Sequence, residues 1–335
     1  MKQLGVKGWG DDVVPWSWSD IGEISPGTMA IDVPNYLTRR LSVIKSAKPP
    51  PDGRMPLMHV GTFFSLTRAT LGNHILPVYI FEGPPETRKR DPNPDLVRKA
   101  ADLYRDFTKE RDPYNEEISR ELWNSRALRM YFASEHLKEL GSVVGVPTVT
   151  APSESEMLGA AMCRDEIVDT VVSNDVDTLL FGSPHVTKQF QSSNGRILRA
   201  RLVDLESRMD LDLELLRDLA ILCGCDFHKE GVKGIGPRKG ALLLQRHGGL
   251  VEVLKSKGFT HSQREEYVRA REVFDEPTFL STDRYRFTLN PPIVPRLVRL
   301  LTPIMSEEAV ENMVQKMVRL WKGFGTRQST LEQWL

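Results

Sequence analysis

PVYIFE, residues 77–82, is a run of apolar residues closed by a carboxylate. A short apolar run rich in β-branched and aromatic residues reads as a buried strand, so Glu82 stands where that strand stops. The figure repeats along the chain. Asp32 ends TMAID (28–32), Glu154 and Glu156 sit in APSESEM (151–157), Asp175 and Asp177 close DTVVSNDVD (169–177), and Asp226 ends LAILCGCD (219–226). Strands are expected at Met29 to Ile31, Pro77 to Phe81, Val143 to Val149 and Val168 to Val172, alternating with longer helical stretches. Alternation of this kind builds βαβ units. The expected fold class is α/β, a mainly parallel central sheet flanked by helices, with ligands meeting the carboxyl ends of its strands.

Two helices stand out by periodicity. One is expected from about Glu116 to Leu140, with Ile118, Leu122, Leu128, Tyr131 and Phe132 on one face and Gly141 as its stop. Another should run from Ser306 to Lys322, where Val310, Met313, Val314 and Met317 keep helical spacing and Gly323 follows. Between residues 84 and 113 the character changes: prolines break the chain and basic side chains interleave with acidic ones, which marks a polar helical insertion. There is no internal repeat or low-complexity tract.

Seven carboxylates at strand and helix ends, Asp32, Glu82, Glu154, Glu156, Asp175, Asp177 and Asp226, cannot crowd together uncompensated, because like charges raise each other's pKa values. Taken singly, an acid after a strand is more often a helix cap or a turn residue. Their joint occurrence points to divalent cations. Hard oxygen donors with no His or Cys beside them favour Mg²⁺ or Mn²⁺, and two such ions ~4 Å apart activate water against a phosphodiester.

Composition narrows the setting. Lys+Arg and Asp+Glu both number 45, so any nucleic-acid role must come from segregated charge rather than a net excess. Cys163, Cys223 and Cys225 lack metal-knuckle spacing and are expected to be buried free thiols. No apolar stretch reaches the ~20 residues needed to cross a bilayer, and residues 1–12 lack the apolar core of a signal peptide. The expectation is a cytoplasmic monomer with no membrane partner, or a nuclear one in a eukaryotic host.

With those loci in hand, the sequence resembles the flap endonuclease family of archaea and eukaryotes. The resemblance is carried by MAID (29–32), PVYIFEGPPE (77–86), APSESE (151–156), SNDVDTLLFGSP (173–184) and CGCDFHKEGVKGIGPRKGALLL (223–244), and it extends from Gly5 to Leu335. It implies a structure-specific 5′ nuclease domain over 1–327, with a helical arch at about 84–113 and a helix-turn-helix duplex clamp at about 226–250. By the same resemblance Asp32, Glu82, Glu154 and Glu156 serve one Mg²⁺ and Asp175, Asp177 and Asp226 a second, with Glu156 near both and Mn²⁺ able to substitute. Arg88 and Lys99 are the candidates for the family's two basic residues at the scissile phosphate, with Arg98 as rival. The family usually has Asp where Glu82 stands, begins its reactive segment nearer the initiating Met than LGVKGW (4–9), and carries a stacking aromatic where Thr38 stands; Tyr36 is the nearest ring.

Bases gather where DNA would be held. Lys233, Arg238 and Lys239 surround Gly234 and Gly236, and a Gly-Ile-Gly-Pro turn opening a helix is a phosphate seat. In the family that turn also holds a monovalent cation, K⁺, through backbone carbonyls. Arg68 is a further duplex-contact candidate. The chain ends TRQSTLEQWL (326–335), in which Gln328, Leu331, Trp334 and Leu335 fit a peptide that binds a sliding clamp, PCNA. The expected partner is branched DNA bearing a 5′ flap, cut during replication and repair, with 5′–3′ exonuclease activity alongside. A 5′ exonuclease or junction resolvase would share the acids and differ in the arch; a non-catalytic DNA and clamp adaptor would tolerate a damaged acid at Glu82.

Overall fold

The structure is a computed structural model that describes residues 5–41, 49–83, 94–191 and 194–332. These residues fall into two compact units, one drawn from 25–82, 91–150 and 286–335 and the other from 1–24, 83–90 and 151–285. Both are mixed α/β.

In the first unit, strands β2 (Gly27–Asp32), β3 (Ile75–Phe81) and β4 (Thr148–Thr150) run parallel in that order, with Ile31 opposite Tyr79 and Tyr79 opposite Thr148. Every residue of β3 is buried, as expected for the central strand of a parallel set covered on both faces. Helices α1 (Val33–Leu41) and α2 (Met58–Gly72) connect β2 to β3. Thr67 on α2 meets the buried Tyr79 hydroxyl at 2.8 Å, which satisfies a phenol that the strand carries into the core. Helix α3 (Pro94–Glu110) comes from the predicted insertion and is seated on α5 (Arg126–Val144), burying Ala100, Leu103 and Phe107. Its Phe107 ring meets Phe132 and His136 edge-on.

The helix expected over 116–140 is two helices. α4 (Glu116–Asn124) ends at Ser125, whose extended backbone lets its hydroxyl accept from the Leu128 amide at 3.3 Å and cap α5. Gly141 does not stop α5; the helix runs to Val144 and closes on Gly145 in the left-handed conformation. A Cβ at Gly145 would lie 2.1 Å from the Asn290 carbonyl oxygen, so backbone approach demands glycine there. The apolar residues from Val143 therefore finish a helix, and only Thr148–Thr150 is strand. Likewise α14 (Glu307–Glu332) passes through Gly323 instead of ending there, after the short α13 (Val294–Leu301).

In the second unit the strand order is β1 (Ser17–Asp20), β7 (Arg196–Arg201), β6 (His185–Gln191) and β5 (Thr170–Val172). β5 and β6 are parallel, while β6–β7 and β1–β7 are antiparallel, with an irregularity between Thr187 and Gln189. Three of these strands, β1, β6 and β7, are absent from the sequence-based expectation, because HVTKQFQ and RILRAR mix polar and apolar residues without a continuous apolar run. Helices α6 (Ser155–Arg164) and α7 (Asp177–Leu180) pack together, and α8 (Leu202–Met209) leads to the buried α9 (Leu213–Cys223). α10 (Pro237–His247), α11 (Leu250–Ser256) and α12 (His261–Glu272) pack around α9. Arg217 on α9 is held by the Leu180 carbonyl at 2.7 Å and by Asp275 at 2.9 Å, and Arg271 on α12 reaches Asp218 at 3.0 Å. All three cysteines are free and buried, as the spacing predicts.

Candidate active site

Four of the predicted ligands share two helix starts in the second unit. β5 ends at Val172, and the turn after it is shaped by its own side chains: Ser173 Oγ accepts from the Asp175 amide at 3.1 Å, and Asp175 Oδ1 accepts from the Asp177 amide at 3.0 Å. Asp177 opens α7 with no exposed surface. Glu154 sits at the N-cap of α6 and Glu156 in its first turn, where the helix dipole favours negative charge. All four carboxylates are buried, a costly placement that ordinary helix capping does not require.

The N-terminal segment closes on this site. Gly5 has φ of +86°, and a Cβ there would sit 2.5 Å from Asp175 Oδ1 and 3.2 Å from Asp177 Oδ1. The Lys7 amide donates to the Gly224 carbonyl at 2.8 Å, which fastens the segment to the end of α9. Asp226 follows two residues later and is exposed. Cys225 between them has its thiol pushed up to about 12, first by burial and then by the charge of Asp177, with Asp226 adding to it. Asp175, Asp177 and Asp226 thus share one neighbourhood. Gly5 is a site residue that composition and periodicity miss, because its role is a close approach to residues far away in sequence.

The first unit carries the other two acids. Asp32 ends β2 and is buried, its Oδ1 accepting from the Asn35 amide at 3.2 Å at the start of α1. Glu82 follows β3 and is exposed, close enough to add to the rise in the Tyr131 pKa that burial mainly causes. Because Asp32 lies opposite Ile80 in register, both acids mark the carboxyl edge of β2 and β3.

Among the described residues, no three His, Cys, Asp or Glu side chains form a ready-made ion cage. Mg²⁺ does not need one: it is usually bound through one or two carboxylates, retained waters and substrate phosphate. An all-oxygen set, with the neighbouring thiol held in its neutral form, fits that ion better than zinc.

The basic candidates divide. Lys99 on α3 is exposed and pairs with Glu121 at 2.7 Å, while its rival Arg98 lies 3.6 Å from Asp95. Arg88, the other predicted phosphate contact, lies outside the described residues. Arg68 is exposed on α2. Tyr36 is no stacking platform: it is buried, its hydroxyl donating to the Thr62 carbonyl at 3.2 Å. Lys233, Arg238 and Lys239 are exposed around Gly234, which has φ of +76° and open space where a Cβ would stand, and Gly236, the N-cap of α10. Lys239 Nζ donates to the Gly234 carbonyl at 3.1 Å. Of the predicted clamp residues, Gln328 and Leu331 fall on the last turns of α14, with side chains outside the description, and Trp334 and Leu335 lie outside the described residues altogether.

Comparison with known proteins adds the identity. The XPG I-region family model matches residues 145–226, the span that holds Glu154, Glu156, Asp175, Asp177 and Asp226. Flap endonuclease-1 from Methanococcus jannaschii superposes with a TM-score of 0.70 at 25% identity, covering 94% of this chain and 99% of that one. Flap endonuclease 1 of Methanopyrus kandleri is 32% identical over 344 residues, covering 94% of this chain and 95% of the relative. The match to flap endonuclease 1 of Zea mays, 29% identical, takes in 65% of this chain and 59% of that protein. Fold and acids together define a structure-specific nuclease. Within that class, the chain belongs to the flap endonuclease family.

Proposed function

We propose that this chain hydrolyses a phosphodiester near the base of a 5′ flap in branched DNA during replication and repair, with 5′–3′ exonuclease activity alongside, and that it depends on two Mg²⁺ ions, with Mn²⁺ able to substitute. The observation that carries the reading is the burial of Glu154, Glu156, Asp175 and Asp177 at the starts of two packed helices within the XPG I-region match. Asp175, Asp177 and Asp226 are the ligands we assign to one ion, and Glu154 and Glu156 contribute to the other; the family resemblance gives Asp32 and Glu82 the same role. Bound there, such ions would lower the pKa of water and offset charge on the phosphate. The chain's own contribution is to hold these oxygens rigidly on α6 and α7 and to exclude water around them. Lys233, Arg238 and Lys239 seat duplex phosphates by charge and shape, with K⁺ at the same turn. Arg88 and Lys99 neutralise the reacting phosphate. One gel decides the activity: a 5′-flap, a blunt duplex and a four-way junction, each with Mg²⁺ and with EDTA. Mg²⁺-dependent cutting of the flap near its base is expected, with slower shortening of the blunt duplex from its 5′ ends, whereas cutting of the junction alone would make the chain a resolvase.

The tail gives a second, separable function. Gln328, Leu331, Trp334 and Leu335 are proposed to bind a sliding clamp, PCNA, which raises the local concentration of the enzyme at the junction. Calorimetric titration of the clamp should show binding by the full chain and its loss after truncation at Arg327 or in Trp334→Ala. Equal affinity in all three would remove the tether.

A further inference from the structure

Arg111 follows α3 with φ of +55°, and its amide closes the helix on the Phe107 carbonyl at 2.7 Å. Glycine or asparagine serves that position without strain, so an arginine there is explained by its side chain and not by its backbone. The side chain is 12% exposed and pairs through Nη2 with Glu139 Oε1 at 2.8 Å. Its Nε and Nη1 are buried and find no hydrogen-bond partner among the described residues. A guanidinium is donor-only, and unsatisfied buried donors are expensive, so the group calls for an acceptor.

A cavity of about 210 Å³ adjoins it, lined by Arg111, Glu139, Arg296, Arg299 and Leu300. Arg296 and Arg299 stand three residues apart on α13 and are exposed on one face. Among the described residues Glu139 is the only acid in the lining, and its oxygens are engaged: Oε1 by Arg111 and by Arg296 at 3.7 Å, Oε2 by the Tyr104 hydroxyl. Three guanidinium groups against one carboxylate leave the cavity positive. At about 30 Å³ per water it has room for a tetrahedral oxyanion and a few waters, though not for a nucleotide with its base.

We propose that this cavity binds a phosphate group, held by the forked donors of Arg111, Arg296 and Arg299, whose planar geometry suits phosphate oxygens. The phosphate is either free in solution or part of a DNA backbone. The first arm of the test is calorimetric titration of the full chain with inorganic phosphate, in EDTA and at constant ionic strength, for wild type, R296Q/R299Q and R111K. Saturable binding is expected in wild type, weakened at least tenfold in R296Q/R299Q and weakened in R111K, which keeps the charge but loses the fork. The second arm is the salt dependence of 5′-flap binding. If the natural ligand is DNA backbone, the slope in R296Q/R299Q falls by about 1.8, at ~0.9 per lost contact, and phosphate competes with the flap. If it is free phosphate, the slope is unchanged while phosphate binding is still lost. No saturable binding in wild type, or equal phosphate affinity in wild type and R296Q/R299Q, overturns the proposal. Because both substituted residues are exposed, the double variant tests the cavity without disturbing the core.

Discussion

The unit built on residues 151–285 buries four carboxylates at the starts of α6 and α7, whereas the unit built on α3 and α5 buries two histidines, His59 and His136, in contact with each other at 2.9 Å among aromatic rings. Each histidine escapes the cost of a buried charge by staying neutral. Burial drives both pKa values down, His136 to about 3; the charge of Arg111 lowers His136 further, and the neighbouring His136 adds to the shift of His59. A buried carboxylate at the mouth of a helix regains only part of its lost hydration from backbone amides. The difference teaches which burial is structural and which is functional. Neutral histidines packed edge-on against Phe107 and Phe132 are core, while the clustered acids held out of water are the ligands we propose for cations.

The largest effect should follow from removing one charge in the acidic unit. Asp177→Asn is expected to leave flap binding within a few-fold of wild type while reducing single-turnover cleavage by at least ~100-fold. Unchanged cleavage would reduce Asp177 to a buried cap and erase the contrast. Next comes the segment that closes on the same acids. In Gly5→Ala the new methyl must displace the Asp175 carboxylate, since the site for Cβ is 2.5 Å from Oδ1, and the positive φ resists any relief. Cleavage should fall by about 10- to 100-fold from misplacement of the acid, with little change in thermal midpoint. A variant as active as wild type would show that Asp175 need not be held where it is.

The histidine pair provides the sharpest test from the other side. Both folded pKa values lie below the ordinary 6.5, so the unfolded chain takes up protons first as pH falls. Stability from the neutral pair is present above about pH 6.5 and is lost progressively below it, toward pH 3 for His136, at about 1.4 kcal/mol per pH unit for each histidine. Urea midpoints measured between pH 7.5 and 5 should decline in wild type and decline less in His136→Gln. Equal slopes would mean that folding does not lower the His136 pKa. The smallest effect belongs to the basic turn: Lys233→Ala with Lys239→Ala should lower the salt slope of flap binding by about 1.8 for two lost phosphate contacts, equally across flap sequences. A wild-type slope would move the duplex seat elsewhere.

Sequence alone determined a good deal here. Asp32 and Glu82 could be placed at strand ends because β2 and β3 are apolar runs that a carboxylate interrupts, a local signal that needs no knowledge of neighbours. Asp175 and Asp177 were legible for the same reason, Glu154 and Glu156 as paired acids after a strand, and the turn before α10 by its glycines. Tertiary structure decided the rest. The break at Ser125 rests on a single cap inside an otherwise helical pattern, and the passage of α5 through Gly141 depends on where Gly145 meets Asn290. The polar strands β6 and β7 owe their form to pairing partners rather than to an apolar period. The closure of Gly5 on Asp175 and the meeting of Arg111 with α13 join residues far apart in the chain, and such contacts are set by packing, which no local pattern of residues encodes.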